Sequence, residues 1–272
     1  MEAASTHRTR YRDVPRLPIG AGLVVLVPLV LVAVHALPQD ARRELAVAFA
    51  DPTLPTAFTA HFVHLTTGHL VSNLILYAMV VPTAYLLARA TGAHRAFRRG
   101  FLTVVLVFPL ALSGLGVALG RPALGFGFSG LNMALFGLLT LLLGRHLSRR
   151  FGVGVDERGL TLFGLGVALV ALRSLPLSAV TVAVAGGAAC LALASGVGRR
   201  RVRAPDGPVG RATRPGDLEL AIVAGALFCT LPFVAFSTPA SVAAGLGLYV
   251  HFLGYALGYT VLYVADAAGL LA

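Results

Sequence analysis

The stretch from Gly127 to Gly137 reads GFSGLNMALFG and opens a long apolar segment with one serine, Ser129, set between glycines. A serine in an apolar helix commonly hydrogen-bonds its own backbone. The Gly-x-Ser-Gly setting is less ordinary, because glycine lets the backbone turn tightly and lets another chain come close to the hydroxyl. If Ser129 is a nucleophile, the chain must supply a base and oxyanion donors at the same membrane depth.

The composition is that of a polytopic membrane protein. Of the 272 residues, 57% are hydrophobic and 12% are charged, with a mean hydropathy of +0.83, whereas soluble domains carry about a quarter charged residues. The net charge is +11 and every basic side chain is arginine. The arginines cluster between apolar runs, which favours topology signals over nucleic-acid binding. We therefore expect a multi-pass protein of the cell membrane whose partners include the lipid bilayer and exclude nucleic acid. The oligomeric state is left open.

The apolar runs predict an all-α helical bundle with about eight transmembrane segments. A basic cytoplasmic tail (1–16) precedes one membrane domain (17–272), and a basic cytoplasmic loop lies at about 197–216. The segment 38–68 is too polar and too rich in proline to cross, so we place it outside or in the interface. Both termini are then cytoplasmic. The predicted spans are 17–37, 69–90, 101–119, 129–145, 160–176, 178–196, 217–236 and 241–264; a re-entrant hairpin is the alternative for the fifth and sixth.

Polar residues inside spans are costly and therefore informative. His69 and Asn73 are four residues apart, so they share one face at the outer end of the second span, and His64 precedes them. His251 lies in the eighth span. Taken singly, each residue also fits a structural interpretation, such as a packed histidine or an asparagine that joins two helices. Their occurrence at a consistent depth with Ser129 favours a site.

The topology brings the serine and the last histidine to the same level. Three spans separate the fourth span from the eighth, so both run from outside to inside. Gly254 and Gly258 follow His251 on its helix face, and small residues at that spacing let another helix approach to backbone contact. We expect the fourth and eighth spans to touch there, with Gly127 and Gly130 beside the serine.

These motifs, in this order, resemble the rhomboid family of intramembrane serine proteases. The resemblance rests on His-x4-His-x3-Asn, Gly-x-Ser-Gly and His-x2-Gly-x3-Gly, and it covers about 17–264. It implies that Ser129 is the nucleophile and His251 its general base. It further implies an oxyanion hole made by His69, Asn73 and the Ser129 amide, with His64 holding the preceding loop. The implied reaction is hydrolysis of peptide bonds in or near transmembrane segments of other membrane proteins, with no metal and no organic cofactor.

The chain departs from the family pattern in four places. Three spans lie between serine and histidine where the family has one, so an extra helix pair is expected. Met133 stands where the family commonly has an aromatic residue, Asn132 is an additional polar residue, and the chain has no tryptophan.

Two other functions compete with proteolysis. One is a catalytically inactive rhomboid-like protein that binds membrane clients. The other is a small transporter with a polar path along His69, Asn73 and His251, although no inverted repeat is evident.

Overall fold

The computed structural model describes residues 19–121, 124–152, 158–174, 213–235 and 242–272, together with a few positions between 179 and 190. The predicted tail 1–16, most of the predicted sixth span 178–196 and most of the basic loop 197–216 lie outside these residues.

The described chain is mostly α-helical, so the prediction of an all-α protein is confirmed. A short 3-10 turn at Ala60–Phe62 precedes α4, and the strands β1 (Val47–Ala48) and β2 (Leu124–Gly125) form one antiparallel pair. The helices are α1 (Ile19–His35), α2 (Gln39–Glu44), α3 (Leu54–Thr59), α4 (Thr67–Thr91), α5 (His94–Leu106), α6 (Phe108–Ala118), α7 (Ser129–Phe151), α8 (Leu160–Ser174), α9 (Asp217–Ala235) and α10 (Val242–Ala267).

Several helices are long and apolar enough to cross a bilayer. Among the described residues, α4, α7 and α9 meet this description, and the bent pair of α5 and α6 makes a fourth if it is one span. A helix needs about 20 apolar residues to cross the hydrocarbon core. The chain is therefore a membrane protein by the length and composition of these helices.

The predicted third span, 101–119, falls, apart from its last residue, within a longer and bent helical segment, 94–118. The helix begins at His94, so Arg95, Arg98 and Arg99 lie on α5 rather than in a loop, and the axis bends by 42° between α5 and α6. Pro109 in the first turn of α6 accounts for the break, because proline lacks an amide hydrogen and its ring crowds the preceding turn.

The central helix is α7, and it positions the site. Its side chains are buried from Gly130 to His146, because a helix that is apolar on all faces is stable only when other helices surround it. It packs most extensively against α10 and α4, with further contacts to α5, α8 and α9.

Ion pairs tie the helix ends together at the C-terminal end of α7, which we call the inner end. Arg145 pairs with Asp266 of α10 at 2.7 Å, and Arg150 pairs with Asp217 of α9 at 3.5 Å. Arg99 of α5 donates to the Leu270 carbonyl at 2.8 Å. These contacts gather the described arginine clusters near α5, α7 and α9 at one end, as the sequence predicted.

Candidate active site

Ser129 is the first residue of α7, and the turn before it is fixed by a glycine. Gly127 has a φ of 107°, which L side chains rarely adopt, and a Cβ there would come within 2.6 Å of the His69 ring. The Gly127 amide donates to the Ala60 carbonyl at 3.0 Å. Glycine at this position therefore permits both the turn and the close approach of His69.

The N-terminus of α7 supplies amide donors beside the serine. Helical hydrogen bonding begins with the Asn132 amide, which donates to the Phe128 carbonyl at 2.9 Å. The amides of Ser129, Gly130 and Leu131 thus have no acceptor in a preceding helical turn. Within the described chain, no side chain caps this end of the helix. These amides and the positive end of the helix dipole suit a developing oxyanion next to the hydroxyl.

The glycine faces of α7 and α10 are in backbone contact. A Cβ on Gly254 would collide with the Gly130 carbonyl oxygen, and one on Gly258 would collide with the backbone of Ala134. Both residue numbers rise together along the contact, so the two helices run parallel in this register. The predicted contact between the two helices is thus confirmed. Because His251 lies three residues before Gly254, and Ser129 one residue before Gly130, both lie at the outer end of the contact.

A backbone carbonyl orients the imidazole of His251. Its Nδ1 lies 2.9 Å from the carbonyl oxygen of Ala235 at the end of α9. A carbonyl oxygen only accepts, so Nδ1 carries the proton in this bond and the neutral ring keeps its lone pair on Nε2. This bond selects the tautomer that a general base requires. His251 is also within electrostatic range of His69.

His64 connects the loop before α4 to the turn before Ser129. The Phe128 amide donates to His64 Nε2 at 3.4 Å, and the His64 ring lies edge-on to His69 with 4.9 Å between centroids. Burial, and then the nearby His69, lower the pKa of His64 to about 4. The neutral imidazole can therefore accept the Phe128 amide at physiological pH.

Asn73 is buried beside α7, and its amide is already engaged. Its Nδ2 donates to the His69 carbonyl at 2.9 Å. Asn132 Nδ2 donates to Asn73 through both the backbone oxygen (3.1 Å) and Oδ1 (3.2 Å). Asn132 lies one helical turn after Ser129, so Asn73 lies below the serine. His69 lies above it, beside Gly127. Asn132, an unexplained departure in the sequence, thus acts as the clamp that holds Asn73.

Three contacts at this end were not predicted from the sequence. Arg42 donates to the His64 carbonyl at 2.6 Å, and His35 Nδ1 lies 3.0 Å from the same oxygen. His61 Nε2 lies 3.1 Å from Ser113 Oγ, which fastens the 3-10 turn to α6. The sequence offered one signal for the first two contacts: His35 ends the first apolar run, and Arg42 follows it closely.

Met133 and Tyr255, which lie four residues after Ser129 and His251, take packing positions. Met133 is buried, and its Cβ lies below Gly254. Tyr255 stacks between Phe136 (4.9 Å between centroids) and Phe163 of α8 (5.4 Å). Met133 and Tyr255 thus fill the interior directly beneath the serine and histidine.

No protein-family model matches the chain, and neither the curated proteins nor the solved structures contain a match.

Proposed function

We propose that this protein is an intramembrane serine protease of rhomboid type, with Ser129 as nucleophile and His251 as general base. The observation that carries the proposal is the parallel backbone contact of α7 and α10 through Gly130, Gly254 and Gly258. This contact sets the register of the two helices, so that Ser129 and His251 lie at a similar height along the helix axes. Each motif alone does not define this register.

The hydrogen bonds around His251 suit a dyad. Its Nδ1 donates to the Ala235 carbonyl, so Nε2 can take the proton of Ser129 Oγ as the oxygen attacks the substrate carbonyl. The protonated imidazole then gives that proton to the leaving amine, and an acyl-enzyme ester remains. Water attacks the ester with Nε2 again as base, which releases the second product and restores the hydroxyl. The Ala235 carbonyl takes the orienting role that an aspartate has in a triad.

The oxyanion donors in this proposal are the first amides of α7, with His69 as a side-chain donor. Removal of one such donor typically costs about 3–4 kcal/mol of transition-state stabilisation. The Asn73 amide donates one hydrogen to the His69 carbonyl, so its second hydrogen is the one that can serve the oxyanion. Asn73 thereby also fixes the backbone that carries His69.

The helix contacts suggest which helix pair is additional to a rhomboid core. The helix α9 contacts α4 and α7, and its last carbonyl orients His251. By contrast, α8 contacts α7, α9 and α10 farther from His251, and its Phe163 stacks on Tyr259, two helical turns after His251, with 4.2 Å between centroids. We infer that α8 and the predicted sixth span are the insertion, within a topology of about eight spans.

The test is cleavage of a generic transmembrane substrate by the purified full-length protein in liposomes. Ser129→Ala and His251→Ala are each expected to lower kcat by about 10⁶-fold, because the two residues act as one unit. A fluorophosphonate probe should label the parent and leave the Ser129→Ala protein unlabelled. Equal cleavage by all three proteins would refute the assignment.

A client-binding protein without catalysis is the competing function. It predicts no fluorophosphonate labelling and unchanged client binding in Ser129→Ala. Labelling at Ser129 would exclude it, as it would exclude the transporter.

A further inference from the structure

The inner end of the bundle holds an open cleft between the ends of α4 and α7. Its volume is about 340 Å³. Its described lining holds four arginines and no acidic side chain, and consists of Arg89, Ala90, Thr91, Gly92, Arg149, Arg150 and Arg214.

Two of these arginines are held in place by the end of α4. Arg149 donates to the Thr91 carbonyl at 3.5 Å, and Arg150 donates to the Ala90 carbonyl. These bonds satisfy carbonyls that the helix end leaves without partners. They also fix two guanidinium groups at the rim of the cleft.

Within the described part of the chain, the arginines of the cleft outnumber the carboxylates beside it. Asp217 lies behind the rim, 3.5 Å from Arg150 Nε, and accepts from the Arg214 amide at 2.8 Å. Among the described residues, this one carboxylate offsets at most one of the three guanidinium groups of Arg89, Arg150 and Arg214. Arg89 and Arg214 are both exposed, and Arg89 lies over the Tyr85 ring with 5.9 Å from its Cζ to the ring centroid.

We propose that this cleft binds the phosphate of an anionic glycerophospholipid headgroup. It lies where α4 and α7, two helices of membrane-spanning length, end, and lipid headgroups lie at this depth. The planar fork of arginine binds phosphate oxygens in pairs. The anionic lipids of a membrane surface attract basic groups there. This site is independent of the proposed protease activity.

The test compares lipid association of the full-length protein in phosphatidylcholine vesicles. Spin-labelled phosphatidylglycerol or phosphatidylcholine is added in trace amounts, and the motionally restricted fraction is measured. We expect the parent to prefer phosphatidylglycerol by at least about threefold, since each basic group near the surface contributes up to about fivefold. Arg89→Gln/Arg214→Gln should bring the preference close to one.

The matched control is Arg95→Gln/Arg98→Gln, which removes the same charge from exposed positions on α5 outside the cleft lining. It should keep the parent preference. An equal loss in both double variants would mean bulk attraction only and would overturn the proposal, as would a parent without preference. Loss of preference in millimolar inorganic phosphate at constant ionic strength would assign the cleft to free phosphate instead. Each variant is used only if its helix content, measured by circular dichroism, equals that of the parent. If the Arg89→Gln/Arg214→Gln protein does not fold, the single variant Arg89→Gln is measured instead.

Discussion

The two ends of α7 make different contacts. At the N-terminal end, the Phe128 amide donates to His64 and Asn132 donates to Asn73, whereas at the C-terminal end arginines bind carboxylates and helix carbonyls. The first set of contacts consists of hydrogen bonds, such as Asn132 to Asn73 at 3.1 Å. The second contains ion pairs, such as Arg145 to Asp266 at 2.7 Å. The difference follows the helix dipole, which favours anions at the N-terminus and cations at the C-terminus. In the proposed protease, catalysis takes place at the outer end of α7, and ion pairs hold the helices together at its inner end.

Apart from substitution of Ser129 or His251 themselves, the largest expected effect comes from separating α7 and α10 at the outer end. Gly254→Ala places a methyl group against the Gly130 carbonyl, so the helix backbones must move apart at the level of the site. We expect a loss of cleavage rate of about 100-fold, because a displacement of about 1 Å between reacting groups has that effect. Gly225→Ala on α9 is the matched control, since nothing lies within 4 Å of its added Cβ. A Gly254→Ala protein with the parent rate would contradict the proposed contact of serine and base.

A smaller loss should follow when the clamp on Asn73 is removed. Asn132→Leu deletes two hydrogen bonds to Asn73, and an unsatisfied buried polar group costs about 1–3 kcal/mol. If part of this cost falls on the transition state, kcat drops about tenfold while KM stays close to the parent value.

Thr140→Val tests whether that loss is specific to the clamp. It removes another buried polar group of α7, whose hydroxyl donates to the Phe136 carbonyl of its own helix at 2.9 Å, and it should leave kcat unchanged. Equal effects of the two substitutions would mean that Asn132 has only a packing role.

Acid should lower the folding stability through two buried histidines at the outer end. Burial lowers the pKa of His64 to about 4, with a further contribution from His69, and burial lowers the pKa of His61 to about 4 as well. An unfolded histidine titrates near 6.5. The unfolded state thus binds more protons between pH 6.5 and 4, and folding stability falls as the pH drops through this range.

The His64→Gln protein separates this contribution from other acid effects. Glutamine can still accept from the Phe128 amide but does not titrate in this range. We expect its thermal midpoint to fall by less than that of the parent between pH 7 and pH 5. An identical fall in both proteins would show that His64 does not titrate as stated.

The smallest effect on cleavage should come from the inner end. Asp266 pairs with Arg145 at 2.7 Å and with Arg158 at 3.2 Å. Asp266→Asn should lower the free energy of unfolding by about 2 kcal/mol, less than for a fully buried pair because Arg158 is partly exposed. The cleavage rate per folded molecule should not change. A large loss of kcat in a fully folded Asp266→Asn protein would contradict the view that the inner end contributes only to stability.

Several features of the fold could be predicted because each leaves a local pattern. Apolar runs of membrane length predicted α4, α7 and α9 within a few residues. The bend between α5 and α6 could also have been anticipated from Pro109. The starting residue of α5 was misjudged, because arginines at an interface fit a loop and a helix end equally well.

The sequence by itself determined that Ser129 and His251 could meet. The glycine spacing allows α7 and α10 to touch, and the odd number of predicted spans between them makes the two helices parallel. The tertiary structure decided which groups orient them. The Ala235 carbonyl on His251, the Phe128 amide on His64 and the clamp of Asn132 on Asn73 join residues far apart in the chain. All three use a backbone atom, which every residue offers equally. No side-chain pattern can therefore mark them, and only the packing of the helices selects one carbonyl or amide among many.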